Sequence, residues 1–208
     1  MPELFDIYDE NRVKIGVKDR AAVHHGGDWH CTFHCWVIYR DGAGQDFVVM
    51  QWRGPDKDIC PNLVDVSAAG HYQSGETIRD GVREIREELG LDVTYEDLIP
   101  VGVRTSVLKE GDFRDCQFED VFLLVCDQPL SAYNYQREEV SGLMRFAIDD
   151  GLALFAGESD SISADAVGLD SEHVELHLND FVQTLDSYIF RLLVLAKCCL
   201  NGEKYLVI

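Results

Sequence analysis

Residues 68–91 read AAGHYQSGETIRDGVREIREELGL, and their second half crowds Glu84, Glu87 and Glu88 together. A helix turns by about 100° per residue. Over residues 78–89 that period places Ile78, Val82, Ile85 and Leu89 on one narrow stripe, which predicts a helix with one side against a core. The three glutamates fall on an arc away from that stripe. Glu84 stands three and four residues before the other two, so the carboxylates are neighbours on one face. Gly81 lies beside Glu88 on the wheel and leaves room for an approach to the backbone. Thr77 is placed to cap the N-terminus, with Asp80 completing a capping box. Gly90 is placed to end the helix.

Most charge runs on helices are solvated faces, and Arg79, Arg83 and Arg86 are available to balance the acids, for instance Arg83 with Glu87. The uneven clustering argues for more. Adjacent carboxylates repel unless a hard cation sits among them, and carboxylate oxygens prefer Mg²⁺ or Ca²⁺. A divalent ion also makes a repulsive acidic site attractive to phosphate. That matters in a chain whose formal net charge is −20.

Composition bounds the remaining choices. The chain has 208 residues, 46% of them hydrophobic and 10% aromatic, enough for a buried core and against global disorder. The negative charge argues against nucleic acid or an anionic membrane surface as partner. The longest apolar run, around Tyr188–Leu200, is broken by Arg191 and Lys197 and is too short to span a bilayer. MPELFDIYDENR has acids where a secretory leader would be basic. The seven cysteines have no framework spacing, so reduced thiols and a cytoplasmic location are expected.

Strands are expected at Phe5–Tyr8, Val13–Val17, Cys31–Tyr39, Asp46–Trp52, Leu63–Ser67 and Val121–Cys126, with strand character returning within Val93–Arg104. Residues 135–150 read as a polar loop with a short apolar segment. Residues 157–175 are rich in Ser and Asp and read as loop. Phe181, Leu185, Tyr188, Leu192 and Leu195 recur at helical spacing and predict a C-terminal amphipathic helix, its stripe packed on its own domain or on a twin subunit in a homodimer. The sum is an α+β or α/β/α chain around a mixed sheet. A single domain over 1–208 is expected, with a strand–turn extension over about 1–29 and a helical extension over about 176–208.

Gly70, Glu76 and Arg83-Glu84-Ile85-Arg86-Glu87-Glu88-Leu89-Gly90-Leu91 together resemble the Nudix box, G-x5-E-x7-R-E-U-x-E-E-x-G-U, where U is a bulky aliphatic residue. The second half matches at every fixed position. Six residues, not seven, separate Glu76 from Arg83. Weaker similarity in DIYDENRVKIG, WHCTFHCW, VDVSAAGH and GLDV points to the branch closest to isopentenyl-diphosphate isomerases. The resemblance implies an α/β/α sandwich with the box as loop–helix–loop. It implies Mg²⁺ or Mn²⁺ on Glu84, Glu87 and Glu88, with Arg83 orienting the acids and Gly70, His71 and Glu76 beside the substrate. It implies hydrolysis of a nucleoside diphosphate linked to another group. The general base would be a box glutamate or a loop acid, Glu119, Glu138 or Glu139, with Glu88 and Glu139 taken as the two candidates.

The rival chemistry is the isomerase, whose proton-transfer cysteine precedes a Gly-His pair. Here Ala69 stands before Gly70-His71, and alanine has no proton to give. A non-catalytic binding module is the other alternative, but all three box glutamates remain. His24, His25, His30 and His34 raise the question of a second metal. On one strand, His30 and His34 would share a face about 13 Å apart, at about 3.3 Å per residue, too far for one ion. Hydrogen-bonded histidines in a semi-buried sheet are therefore expected there. His30 falls near a histidine ligand of the isomerases, and His71 adjoins the metal loop. Trp29, Trp36, Trp52, Tyr72 and Tyr133 are candidate stacking partners for a base, each also readable as core.

Overall fold

The computed structural model describes residues 2–57, 59–137 and 139–208, with the backbone alone at Glu110. Its elements in chain order are β1 (Leu4–Tyr8), β2 (Lys14–Asp19), α1 (Arg20–Gly26), β3 (Trp29–Arg40), β4 (Asp46–Arg53), β5 (Val64–Asp65), β6 (Ala68–His71) and α2 (Val82–Leu89). There follow β7 (Ile99–Glu110), β8 (Phe113–Val125), β9 (Val140–Ala147), α3 (Ile148–Ala156), β10 (Ile162–Val167), β11 (His173–Leu176) and α4 (Tyr188–Leu200).

The strands form one sheet along the path β11-β10-β9-β4-β3-β1-β2, with β5 on β4 and β6, β8 and then β7 built out from β3. β3 pairs with β8 in parallel, and the other ladders are antiparallel, so the sheet is mixed. Successive side chains of a strand point to opposite faces. His30, Thr32, His34, Trp36 and Ile38 of β3 therefore share one face, and Cys31, Phe33, Cys35, Val37 and Tyr39 the other. Nearly the whole strand is buried, so both faces need cover.

α2 covers one face, where Ile85 and Leu89 join Phe33, Cys35, Val37 and Phe122. α3 and α4 cover the other, where Leu154, Leu192 and Leu193 join Trp36, Ile38 and Val121. The result is the expected α+β architecture, an α/β/α sandwich around a mixed sheet. A smaller cluster of Phe5, Ile7 and Val23 ties β1 to α1. Cys31, Cys35, Cys116, Cys126, Cys198 and Cys199 are free thiols. No helix among the described residues is long and apolar enough to cross a membrane.

Six expectations need correction. α2 starts at Val82, not at 78, and Ile78 is 40% exposed. Thr77 donates from its amide and its hydroxyl to Asp80 at 2.7 Å, which builds a tight turn before the helix in place of a cap. Gly81 then presses on Phe33, where a Cβ would collide with the ring; the space beside it belongs to the core. Residues 157–175 contain β10 and β11. Ile162, Ala164 and Ala166 point inward while Ser163 and Asp165 point out, a period-two pattern hidden by the polar composition. Residues 135–150 contain β9 and the start of α3. Finally, α4 begins at Tyr188. Phe181 enters the core beside Val64, and Leu185 is exposed. The apolar stripe of α4 packs into its own chain through Tyr188, Ile189, Leu192, Leu193 and Ala196.

Replacing buried Ile85 with alanine should therefore cost about 2–5 kcal/mol of stability. Ile78→Ala should stay within about 0.5 kcal/mol of the parent. Urea unfolding of both variants checks this, and equal losses would contradict a helix that begins at Val82.

Candidate active site

β6 and α2 pack directly on one another. Gly70 permits this, because a Cβ at that position would collide with the carboxyl of Glu84. Glu84 and Glu88 are buried, whereas Glu87 faces solvent. Glu88 Oε2 accepts from the Ala69 amide at 2.9 Å and from Gln51 Nε2 at 3.2 Å. Gly90 ends the helix in the left-handed conformation, as expected.

Arg83 organises the acids. Its Nη1 donates to Glu87 Oε2 at 2.8 Å, and its Nη2 lies 2.8 Å from Glu84 Oε1. Nε donates to Glu76 Oε1 at 3.3 Å, and Nη2 also reaches the His71 carbonyl at 3.3 Å. The short spacing before Arg83 thus still brings Glu76 to the guanidinium. Glu76 also accepts from the Gln73 amide at 2.7 Å.

One cation does not balance this site. Burial, with Glu88, Glu87 and Glu139 nearby, pushes the Glu84 carboxyl up to about 8 despite Arg83. Burial likewise pushes Glu88 up to about 7, although Lys57 and the Ala69 amide pull it down. Two buried, under-compensated carboxylates backed by a third in solvent are a donor set that fits a hard divalent ion.

Two further groups stand beside Glu88. Lys57, in the loop after β4, lies 3.7 Å from Glu88 Oε1 and donates to Glu139 Oε2 at 2.9 Å. Glu139 is about half exposed, so its carboxylate reaches solvent. Lys57 carried no sequence signal, since it belongs to a loop without a pattern. Glu138 lies outside the described residues. Glu119 is on the opposite sheet face, buried and held by Arg104 Nη1 at 2.7 and 2.6 Å and by Ser106 Oγ at 2.5 Å.

The ring of His71 turns away from the glutamates and joins His24, His30 and Asp115. Their candidate ligand atoms all lie within 4.8 Å of one another. The expectation of hydrogen-bonded histidines holds for His30, whose Nδ1 lies 3.0 Å from the Asp28 carbonyl. The Nε2 atoms of His24 and His30 lie 3.6 and 3.3 Å from Asp115 Oδ1, and the buried Nε2 of His71 has no hydrogen bond of good geometry. Burial beside His30 and Arg20 keeps the His71 imidazole well below its usual range, hence neutral. His34 is not part of the group; its Nδ1 is hydrogen-bonded with the Tyr188 hydroxyl at 3.2 Å. The strand argument that separates His30 from His34 was sound, but the partners of His30 come from α1, β6 and β8. Asp115 was missed altogether. The alternation Asp115, Gln117, Glu119 along β8 was the available signal.

The aromatic candidates are structural in this chain. Trp36, Tyr72 and Tyr133 are buried. Trp29 stacks on Phe118 with centroids 4.7 Å apart, and Trp52 packs against the same core cluster as Trp36.

Comparison with known proteins bears on the same region. The NUDIX domain model matches residues 30–165, which includes β6, the turn, α2 and Glu139. The chain belongs to the Nudix family. An uncharacterized Nudix hydrolase of Clostridium acetobutylicum is 40% identical over 170 residues, 82% of each chain. Another, from Listeria monocytogenes, is 32% identical over 142 residues, 67% of this chain and 76% of its own. A crystal structure from Deinococcus radiodurans shares the fold with a TM-score of 0.56 at 24% identity, covering 74% of this chain and 90% of that one. This chain is therefore a Nudix hydrolase, an enzyme of the pyrophosphohydrolase class.

The Glu88 carboxyl, raised by burial, makes a signed prediction for protein kept in chelator. A carboxyl whose folded pKa exceeds its unfolded value destabilises the fold once pH passes the unfolded value, and fully so above the folded one. Glu88→Gln should thus melt roughly 2–6 °C above the parent at pH 8.5. The gap should close toward pH 5. Thermal melts at the two pH values test it, and a gap that is absent or independent of pH would contradict the buried, under-compensated acid.

Proposed function

We propose that the chain is a divalent-metal-dependent hydrolase that cleaves the diphosphate linkage of a nucleoside diphosphate derivative. The observation that carries this reading is the convergence of Glu84, Glu87 and Glu88 on one helix face around Arg83, with two of the acids buried. The donors are all oxygens, which suits Mg²⁺ or Mn²⁺. An ion held by these acids supplies positive charge for the diphosphate oxygens and makes a water more acidic.

The residues of the chain divide the remaining work. Glu84 and Glu88 provide the fixed donors, because burial and Gly70 leave them little freedom. Glu87 provides the exposed one. Arg83 acts as a positioning residue through the acids it grips and through Glu76. Glu139 is the candidate general base. It is solvent-accessible, it neighbours Glu88 through Lys57, and it is free of the buried pairing that occupies Glu119. Lys57 offers an ammonium to a substrate phosphate at the same mouth.

The isomerase reading needs a proton donor where Ala69 stands. Ala69 contributes its amide to Glu88 and nothing else of chemical use. The imidazole of His71, next along, turns into the histidine group on the far side of β6. Hydrolysis therefore accounts for more of the residues present.

Glu87→Gln and Glu88→Gln should each lower the hydrolysis rate of a confirmed nucleoside diphosphate substrate by about a thousandfold or more. Glu139→Gln should lower kcat by about a hundredfold or more, with Mn²⁺ affinity unchanged. In ¹⁸O-water the label should enter a phosphate product. Near-parental rates in both box variants, or deuterium entering the carbon skeleton of isopentenyl diphosphate in D₂O without any phosphorus label, would overturn the assignment.

A further inference from the structure

The chain passes from β6 to α2 through two consecutive turns. The Glu76 amide donates to the Gln73 carbonyl at 2.9 Å, and the Asp80 amide donates to the Thr77 carbonyl at 2.9 Å. Gly75, the third residue of the first turn, has φ +90°, as a type II turn requires there, and glycine adopts it without steric cost. The Glu76 carboxylate accepts from the Gln73 amide inside this turn and then meets Arg83. Six residues separate Glu76 from Arg83, one fewer than in the box pattern. Less chain is left to adjust between them, so the position of the first turn passes directly to the guanidinium.

What holds that turn comes from the start of the sequence. Alternation along β1 puts Phe5 and Ile7 on one side, in the cluster with Val23, and Leu4, Asp6 and Tyr8 on the other. Asp6 Oδ1 accepts from the Ser74 hydroxyl at 2.6 Å, across 68 residues of chain, and Oδ2 lies 3.4 Å from the Gly75 amide. The Ser74 amide donates to the Leu4 carbonyl at 2.7 Å. The middle of the turn is thus gripped by one strand, through side chain and backbone together. A hydroxyl-to-carboxylate bond of 2.6 Å falls in the charge-assisted range and is stronger than a neutral one. The Asp6 side chain is only 11% exposed, so little water competes for it, and Lys14 Nζ at 2.6 Å balances its charge. The β1–β2 hairpin is itself anchored near its tip, where Arg12 Nη2 donates to buried Asp120 Oδ2 of β8 at 2.6 Å.

We propose that Asp6 is a positioning residue for the hydrolysis: it fixes the turn at residues 73–76, and thereby the Glu76 carboxylate that braces Arg83 against Glu84 and Glu87. Asp6 touches neither ion nor substrate and acts only through the turn. The β1–β2 hairpin is then a working part of the site. The catalytic half of this proposal rests on the reading of the three glutamates as metal donors. The link from Asp6 to Arg83 does not.

The test compares Asp6→Ala, Ser74→Ala, Glu76→Ala and the double variant Asp6→Ala/Glu76→Ala in the full chain, at a temperature where circular dichroism shows each one folded. The first readout is the ¹H–¹⁵N NMR signal of the Arg83 Nε–H, which needs neither metal nor turnover. It should shift or broaden in Asp6→Ala, as it does in Glu76→Ala. The second is catalysis of a confirmed nucleoside diphosphate substrate at saturating Mn²⁺. Asp6→Ala should lower kcat about tenfold and leave KM within about twofold, with Ser74→Ala lowering kcat by a smaller factor. In the Glu76→Ala background, adding Asp6→Ala should cost less than about twofold, because the group through which Asp6 acts is already gone. A merely structural role would lower both backgrounds equally. An Arg83 signal that stays in place in Asp6→Ala overturns the link. Parental kcat in Asp6→Ala, or a loss that persists in full in the Glu76→Ala background, overturns the positioning role. If Asp6→Ala does not fold, Ser74→Ala, which removes one hydroxyl, decides both questions by the same criteria. If the parent turns over no nucleoside diphosphate, the hydrolase reading fails while the Arg83 signal still decides the link.

Discussion

Like-charged carboxylates on consecutive helical turns repel, and α2 places three of them on one face. The guanidinium of Arg83 lets this helix form and stay packed. It pairs with Glu84 and Glu87, reaches back to Glu76 and donates to the His71 carbonyl. An arginine can do this because its donors are fixed in a planar fork. The compensation is incomplete by design of the site: Glu84 and Glu88 remain under-neutralised inside the protein. The proposed divalent ion would relieve this liability.

The placement of that helix depends on β3. Its length lets β8 run along one edge while β6 and β4 divide the other. β6 carries Ala69, Gly70 and His71 past three different neighbours. The Ala69 amide meets Glu88, Gly70 admits Glu84, and His71 joins its carbonyl to Arg83 and its ring to the histidine group. A four-residue strand thereby connects the acidic face of α2 and the histidine group through its backbone.

The glutamates, Arg83, Ile85, Leu89 and Gly90 were legible in the sequence because their relations are local, set by the helical period and by a motif of fixed spacing. The sandwich was legible from the same motif. What escaped depends on contacts distant in sequence. Ile78 continues the apolar period, yet the Thr77–Asp80 turn and the packing of Gly81 on Phe33 start the helix later. β10 was concealed because Ser and Asp occupy its outward positions, and β11 because it is only four residues long, with His173 and Glu175 exposed. Asp115 and His71 are 44 residues apart in number, and only the sheet brings them together. Lys57 sits in a loop whose direction is set by tertiary packing. Each miss is a case in which a non-local neighbour overrode a local pattern.

The most direct measurement is anomalous diffraction from a crystal equilibrated with Mn²⁺ in the presence of a non-hydrolysable nucleoside diphosphate analogue. If the acidic face of α2 exists to hold a hard cation, an anomalous peak will lie among the carboxylates of Glu84, Glu87 and Glu88, within about 2.0–2.3 Å of their oxygens, with a phosphate oxygen of the analogue beside it. Arg83 still gripping Glu84 and Glu87, with no manganese among the three acids at saturating Mn²⁺, would contradict the account.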